Sequence, residues 1–169
     1  TTMMCPDRWL TAGVMAFAIA NPAQAAWPER PITLIIPAAP GGTTDISARL
    51  IADKLSAKLG QQVIVENRAG AAGIIGAQAL ARAKPAGYTL LMGNIGPNAI
   101  NYALYKTLPY KPADFAPVTL VISVPNVLVV NEASPARSVA GLLAQVRQDP
   151  TKVSFGRSGA GQSPHLSAA

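Results

Sequence analysis

Continuous apolar runs and a three–four apolar repeat alternate along this chain. Ile32-Thr-Leu-Ile-Ile36 is a short run rich in β-branched residues, the pattern of a buried strand. After Pro37-Ala-Ala-Pro-Gly-Gly-Thr-Thr-Asp45 the period changes. Ala48, Ile51, Ala52, Leu55 and Leu59 repeat at three and four, which predicts a helix from Ile46 to Leu59 with one apolar stripe. Thr43 or Thr44 is placed to cap it, Asp45 falls in its first turn, and Gly60 ends it as a left-handed residue. Gln62-Val-Ile-Val-Glu66 reads as the second strand. Strand, helix and strand joined by short links predict a βαβ unit with parallel strands and a right-handed crossover.

The alternation continues. Asn67-Arg-Ala-Gly-Ala-Ala-Gly73 breaks the chain, Ile74 to Ala83 reads as a helix, and Lys84-Pro-Ala-Gly87 stops it. Thr89 to Met92 is a third strand, ending at Gly93-Asn94-Ile95-Gly96-Pro97. Each of these strands therefore runs into a glycine-bearing loop. In open parallel sheets ligands sit beyond the carboxyl ends of the strands, so loops gathered on one edge predict a site there. The first loop opens a helix. Its backbone N–H groups point into open space, and the helix dipole adds about half a positive charge. That combination seats a carboxylate or a phosphate.

Farther on, Asn98 to Tyr105 reads as a short helix, and Tyr110 and Phe115 as packing on the sheet edge. Val118 to Val124 and Val127 to Val130 are apolar runs split by Pro125-Asn126, suited to carry the chain from one lobe to another. Ser138 caps a helix whose buried face is Val139, Leu142, Leu143 and Val146. Lys152 to Gly156 is read as a short strand and Arg157 to Gln162 as a further glycine loop. Ser163-Pro164 fits an N-cap followed by proline at the first helical position. The helix it opens shows barely one turn before Ala169, and a lobe of about 45 residues from Ser123 on is too small for a core of its own. The expectation is a chain that stops part-way through its second lobe.

Residues 1–25 stand apart from this fold. Arg8 precedes an apolar stretch from Leu10 to Ala20, followed by Asn21-Pro-Ala-Gln-Ala25, the layout of a secretory signal peptide cleaved after Ala25. The apolar stretch is shorter than the ~20 residues that span a bilayer. Cys5, the only cysteine, would leave with it, so the mature chain would have no disulfide, thiol nucleophile or cysteine metal site. The formal net charge is +6, from 14 basic and 8 acidic residues that are scattered rather than clustered. Such scatter argues against a nucleic-acid stripe and is compatible with mild attraction of anionic solutes.

Catalytic and cofactor patterns fail on spacing. Gly70-Ala-Ala-Gly73-Ile-Ile-Gly76 lacks the G-x-G-x-x-G order that seats a pyrophosphate, and no glycine precedes a lysine as in a Walker loop. Gly161-Gln-Ser-Pro-His165 resembles a nucleophile elbow without its last glycine, and Pro164 removes the N–H an oxyanion hole would use. Ser163 reads better as a helix cap than as a nucleophile. His165 is the only histidine, so a metal site is not expected. It could touch a bound carboxylate, pack on a neighbour or face solvent. Asp45 could hold a ligand amine or favour its helix N-terminus, and Arg68 and Arg157 could reach an anion or be solvated.

Several motifs in order complete the picture. Trp27-Pro-Glu-Arg-Pro-Ile32, Pro40-Gly-Gly-Thr-Thr-Asp45, Val65-Glu-Asn-Arg-Ala-Gly70, Pro85-Ala-Gly-Tyr-Thr-Leu90, Phe115-Ala-Pro-Val118, Val124-Pro-Asn-Val127 and Ser163-Pro-His-Leu166 resemble the Bug, or TctC-like, family. These are periplasmic solute receptors of tripartite tricarboxylate transporters. The resemblance implies an α/β fold of the type II periplasmic-binding-protein kind. Two lobes, each a parallel sheet with flanking helices, would close on a small organic acid held by backbone amides and bridging waters. It implies a periplasmic monomer of a Gram-negative bacterium, with no cofactor, no metal and no catalysis. Its partners would be the carboxylate ligand and the membrane transporter subunits. On this chain it implies a first lobe over 26–122 and the start of a second over 123–169, in a family whose members are about twice as long. Carried residue by residue, the site would comprise Pro40, Gly41, Gly42, Thr43, Thr44 and Asp45; Gly70 and Gly73; Gly93, Asn94 and Asn98; and Ser158, Gly161, Ser163 and His165. A Ser163–His165 hydrolase fragment and a non-functional truncated product are the competing expectations.

Overall fold

The computed structural model describes residues 27–156 and 162–168; the leader expected over 1–25, and Arg157, Ser158 and Gly161, lie outside the described residues. Strands β1 (Ile32–Ile36), β2 (Val63–Asn67) and β3 (Thr89–Leu91) form a parallel sheet in the order β2-β1-β3. Ile32 pairs with Val63 and Thr33 with Thr89, so β1 is the central strand with a neighbour on each side. Helix α1 (Thr43–Leu59) links β1 to β2, and α2 (Ile74–Ala81) links β2 to β3. The βαβ reading therefore holds, and it repeats once.

The core follows from the two periods. Ile32, Leu34 and Ile36 share one face of β1 by the two-residue repeat. They pack with Ala48 and Ala52 of α1, with Val63 and with Met92, while Ile51, Leu55 and Leu59 close the edge of this cluster. Ile35, on the opposite face, is buried as well. Both faces of the central strand are thus covered, which is why it reads as an unbroken apolar run. Ser56 stitches the end of α1 to β2: its hydroxyl donates to the Ala52 carbonyl and accepts the Val63 N–H at 2.8 Å. Gly60 then takes the left-handed conformation at φ 66°, as the sequence predicts for a C-terminal glycine.

Two helix starts differ from expectation by a residue or so. Gly42, not Thr43 or Thr44, occupies the cap of α1, and both threonines lie inside the helix. The final helix, α5 (Ser163–Ala168), accepts its first bonds at the Gln162 carbonyl, so Ser163 is its first residue rather than its cap.

Larger departures come after Phe115. The runs 118–124 and 127–130 form no regular structure, and Val118, Leu120 and Val129 are 86%, 83% and 79% exposed. Lys152–Gly156 is not a strand. A strand exists only through hydrogen bonds to a neighbour, and no strand among the described residues pairs with either segment. Helix α4 (Val139–Gln148) forms, with the Ser138 hydroxyl accepting the Gly141 N–H as expected of a cap. Its expected buried face is only partly covered: Leu142 and Val146 are half-buried, Val139 and Leu143 are exposed, and no residue of the helix is fully buried.

Candidate functional site along one rim of the sheet

Because β1, β2 and β3 are parallel, their carboxyl ends share one edge, and the loops that follow them leave from it together. Backbone bonds bind the loop starts to the central strand. Arg68 N–H donates to the Ile36 carbonyl at 2.8 Å, and Met92 N–H to the Ile35 carbonyl at 2.8 Å. Pro37 and Pro97 are fully buried between the loops. A Cβ on Gly73 would stand 3.1 Å from both the Pro37 carbonyl oxygen and Pro97, so only glycine lets these segments approach this closely.

The first loop is organised by Asp45. Its carboxylate accepts the Gly41 N–H at 2.9 Å, the Arg49 guanidinium at 3.0–3.1 Å and the Asn67 amide at 2.9 Å. Asn67 also donates to the Ala38 carbonyl at 3.2 Å. The Arg49 hydrogen bond, then those from Gly41 and Asn67, lower the Asp45 carboxyl from 3.8 to about 2. The two sequence readings of Asp45 thus give way to a third: its side chain is the clasp that folds the loop back on the helix. The helix start is different. Gly42 makes no side-chain cap, and Gly41, Gly42 and Thr43 are exposed. The first-turn amides of a seventeen-residue helix are thereby left for an external acceptor.

The second loop is wound left-handed. Gly70, Ala71, Ala72 and Gly73 have φ of 124°, 46°, 55° and 86°. The two alanines each cost about 1–2 kcal/mol relative to a right-handed residue. Besides the bond from Ile74 N–H to the Ala71 carbonyl, two anchors hold the turn. Gly73 N–H donates to the Gly70 carbonyl at 2.9 Å, and the Asn101 side-chain amide donates to the Ala72 carbonyl at 3.1 Å. Asn101, which begins helix α3 (Asn101–Leu104), is fully buried. Its amide also approaches the Tyr110 hydroxyl at 3.3 Å, and that hydroxyl donates to the Pro97 carbonyl at 2.9 Å. Tyr110 is held edge-on between Tyr102 and Phe115, at 5.8 and 5.5 Å between ring centres. Asn101 Oδ1 has no hydrogen-bond partner among the described residues, an arrangement that costs about 1–3 kcal/mol.

The third loop continues from β3 into a wide π-helical turn over Gly96–Ile100 that leads into α3. Gly93 lies against the Asn98 amide, leaving no room for a Cβ, and the Asn94 side chain accepts the Gly96 N–H at 3.1 Å. Gly96 is buried beneath Gln162: a Cβ there would meet the Gln162 amide at 2.8 Å. Of the far end of the chain, Gln162 thus comes to this loop, while Ser163 bonds elsewhere. Ser163 donates to Asn126 Oδ1 at 3.3 Å, and Asn126 donates to Ser167 at 2.8 Å. Ser163 and His165 are half-buried.

The structure accordingly brings Pro40–Asp45, Gly70–Gly73 and Gly93–Asn98 to one rim, with α5 beside the last of them. Arg68 is paired with its neighbour Glu66 at 2.7 Å. A groove of about 330 Å3, lined by Arg49, Asp53, Gln62 and Val63 to Val65, lies beside edge strand β2 and shares Arg49 with the rim. Among the described residues no His, Cys, Asp and Glu cluster suits a metal ion. Sequence reasoning missed Asn67, Arg49, Asn101 and Tyr110 as builders of the rim. The four-residue spacing of Asp45 and Arg49 was a usable signal. Nothing local marked Asn101, whose partners lie 29 and 9 residues away.

Comparison with known proteins agrees with the fold. The model of the tripartite tricarboxylate transporter family receptor matches residues 47–169. An R. palustris protein solved with adipate is 43% identical, with a TM-score of 0.78 over 84% of this chain and 48% of that one. The periplasmic binding protein BugD is 36% identical, with a TM-score of 0.77 over 84% and 48%. MatC from Rhodopseudomonas palustris with bound malate is 36% identical, with a TM-score of 0.66 over 71% and 41%. The chain spans about half the length of the curated relatives it matches, 52% and 47% of two of them.

Proposed function

This chain belongs to the tripartite tricarboxylate transporter receptor family, and from that premise we propose that it captures a small organic acid at the rim and presents it to a membrane transporter. The fold is α/β and of the periplasmic-binding-protein kind. The observation that carries the reading is the convergence of strand-end loops on one rim, with uncapped amides at the start of α1 and a left-handed turn beside them. Amides aimed outward from a helix start favour an anion, because each N–H contributes a partial positive charge without a counterion of its own. The chain's positive net charge adds to that preference.

The substrate class is a dicarboxylate or a related acid. Two relatives were solved with adipate and malate, and both ligands carry a carboxylate at each end. One carboxylate would sit on Gly42 to Thr44, Gly70 to Gly73 and Gly93 to Asn98. Ser158, Gly161, Ser163 and His165 would approach from a second lobe that begins near residue 123, the first lobe being 26–122. Asp45 would act through the loop it clasps. The protein would work in the periplasm as a monomer, delivered by the leader in residues 1–25; no described helix is long and apolar enough to cross a membrane. Delivery would follow from tighter binding to the closed form than to the open one. Catalysis by Ser163 and His165 has no support, since Pro164 lacks the N–H needed next to a nucleophile and the relatives are binding proteins.

The test is calorimetric titration of residues 26–169 with adipate, malate, citrate and benzoate, paired with thermal melting. Saturable binding of at least one acid is expected, with about 2.7 kcal/mol of added stability at a hundredfold excess over Kd. Silence across the whole panel would contradict the proposal.

A further inference from the structure

We propose that Asn101, together with Tyr110, is a positioning residue for the carboxylate site: its buried amide clamps the Ala72 carbonyl, holding the left-handed turn against the loop that follows β3. This rests on the receptor reading above and adds to it residues that never touch the ligand.

The argument begins with the turn. Gly70 and Gly73 adopt positive φ freely, but Ala71 and Ala72 do not. A segment held in such a conformation persists only where its surroundings over-determine it. The backbone supplies local bonds, from Gly73 N–H to the Gly70 carbonyl and from Ile74 N–H to the Ala71 carbonyl. The other anchor is the 3.1 Å bond from the Asn101 amide to the Ala72 carbonyl, made from an element 29 residues away.

The direction of the hydrogen bonds comes next. The Tyr110 hydroxyl gives its single proton to the Pro97 carbonyl at 2.9 Å, so toward Asn101 it can only accept. Asn101 must then present its amide nitrogen, not its oxygen, to both Tyr110 and Ala72. The chain of bonds runs one way, from Asn101 through Tyr110 to Pro97. It ties the Ala72 turn to the Gly96–Ile100 turn through one buried side chain. Asn101 itself ends that second turn. One residue therefore sets the spacing of two amide-bearing loops.

An ordinary core role explains this residue less well. An apolar side chain would fill the same space without leaving an acceptor unpaired, as Oδ1 is among the described residues. The donor to Ala72 is what asparagine supplies and leucine cannot.

The test uses residues 26–169 with wild-type, Asn101→Asp, Tyr110→Phe, Ala72→Gly and Asn101→Asp/Ala72→Gly chains. The first readout is the backbone N–H to Hα coupling and carbon shift of Ala72 by NMR without ligand. The second is affinity for adipate by calorimetry. The near-isosteric aspartate removes the amide donor, and readings at low and high pH separate an ionised carboxylate, which only accepts, from a protonated one, which still donates to Ala72. Asn101→Asp is expected to erase the left-handed signature at Ala72 while sheet resonances persist, and to weaken adipate binding about tenfold. With glycine at position 72 the turn needs no clamp, so the same Asn101 change should cost less than about threefold. Tyr110→Phe should shift the Gly73 and Gly96 signals and weaken binding by a smaller factor; if Asn101→Asp does not fold, this variant decides the matter. An unchanged Ala72 conformation in the variants overturns the proposal, as does an equal affinity loss whatever stands at position 72. If wild type binds no acid, the receptor reading fails, and the ligand-free couplings still decide whether Asn101 sets the turn.

Discussion

Ile32-Thr-Leu-Ile-Ile36 and Val118-Thr-Leu-Val-Ile122 are nearly the same sequence, and they behave in opposite ways. The first is the central strand of the sheet, with Ile32, Ile35 and Ile36 at most 1% exposed. The second is irregular, and Leu120 is 83% exposed. Intrinsic preference cannot separate them, because the β-branched content and the alternation agree. What differs is company. β1 has β2 and β3 on its edges and α1 over one face, whereas 118–122 has no strand partner among the described residues. An apolar run is a proposal to form a strand, and neighbouring strands decide whether it becomes one.

The sharpest way to break that comparison is a matched truncation. Ile35→Ala is expected to cost about 2–5 kcal/mol in urea unfolding, and Leu120→Ala about 0.5 kcal/mol or less. Equal losses would mean that 118–122 is packed after all. Next in size is Gly73→Ala. The residue sits at φ 86° with Pro37 and Pro97 3.1 Å from where its Cβ would go. A loss of about 1–3 kcal/mol in chemical unfolding is expected, with carboxylate affinity falling alongside. Gly60→Ala, at φ 66° but in open space, should cost only about 1 kcal/mol, so a larger loss would point to contacts the backbone does not explain.

Ser138→Ala removes a cap from α4, which no buried residue anchors. About 0.5–1 kcal/mol of local helix stability should go, visible as faster amide exchange at Val139 to Leu142 while exchange in β1 is unchanged. The subtlest effect is one of pH. The Asp45 carboxyl is lower when folded, about 2 against 3.8. Its contribution is therefore complete above about pH 4 and is lost as the pH falls toward 2. Replacing it by Asn should flatten the stability profile across that window; an unaltered slope would show that the Arg49, Gly41 and Asn67 contacts do not form in solution.

Much of the first region was legible because its signals are local. A continuous apolar run in β1, a three–four repeat in α1 and a left-handed glycine at 60 each lie within a few positions of the element they define. The parallel sheet then follows from chain connectivity, and the shared rim from the parallel sheet. The α1 cap was misplaced because Thr43 and Thr44 are good caps in isolation, while Asp45 folds the loop back by bonding Gly41 and hands the cap to Gly42. The clamp on Ala72 was hidden for the opposite reason: its partners are far apart in sequence, and no periodicity brings Asn101 to Ala72. The strand expected at 152–156 failed because pairing is a property of two strands and the sequence pattern describes only one.

The account stands on amides along the rim holding a carboxylate, and amide-resolved NMR during titration with adipate tests it most directly. The expected result is saturable shifts concentrated at Gly42 to Thr44, Ala71 to Gly73 and Gly93 to Asn98, with the β2-side groove at Gln62 to Ile64 unmoved. Saturable shifts centred on that groove, with the rim amides silent, would contradict it.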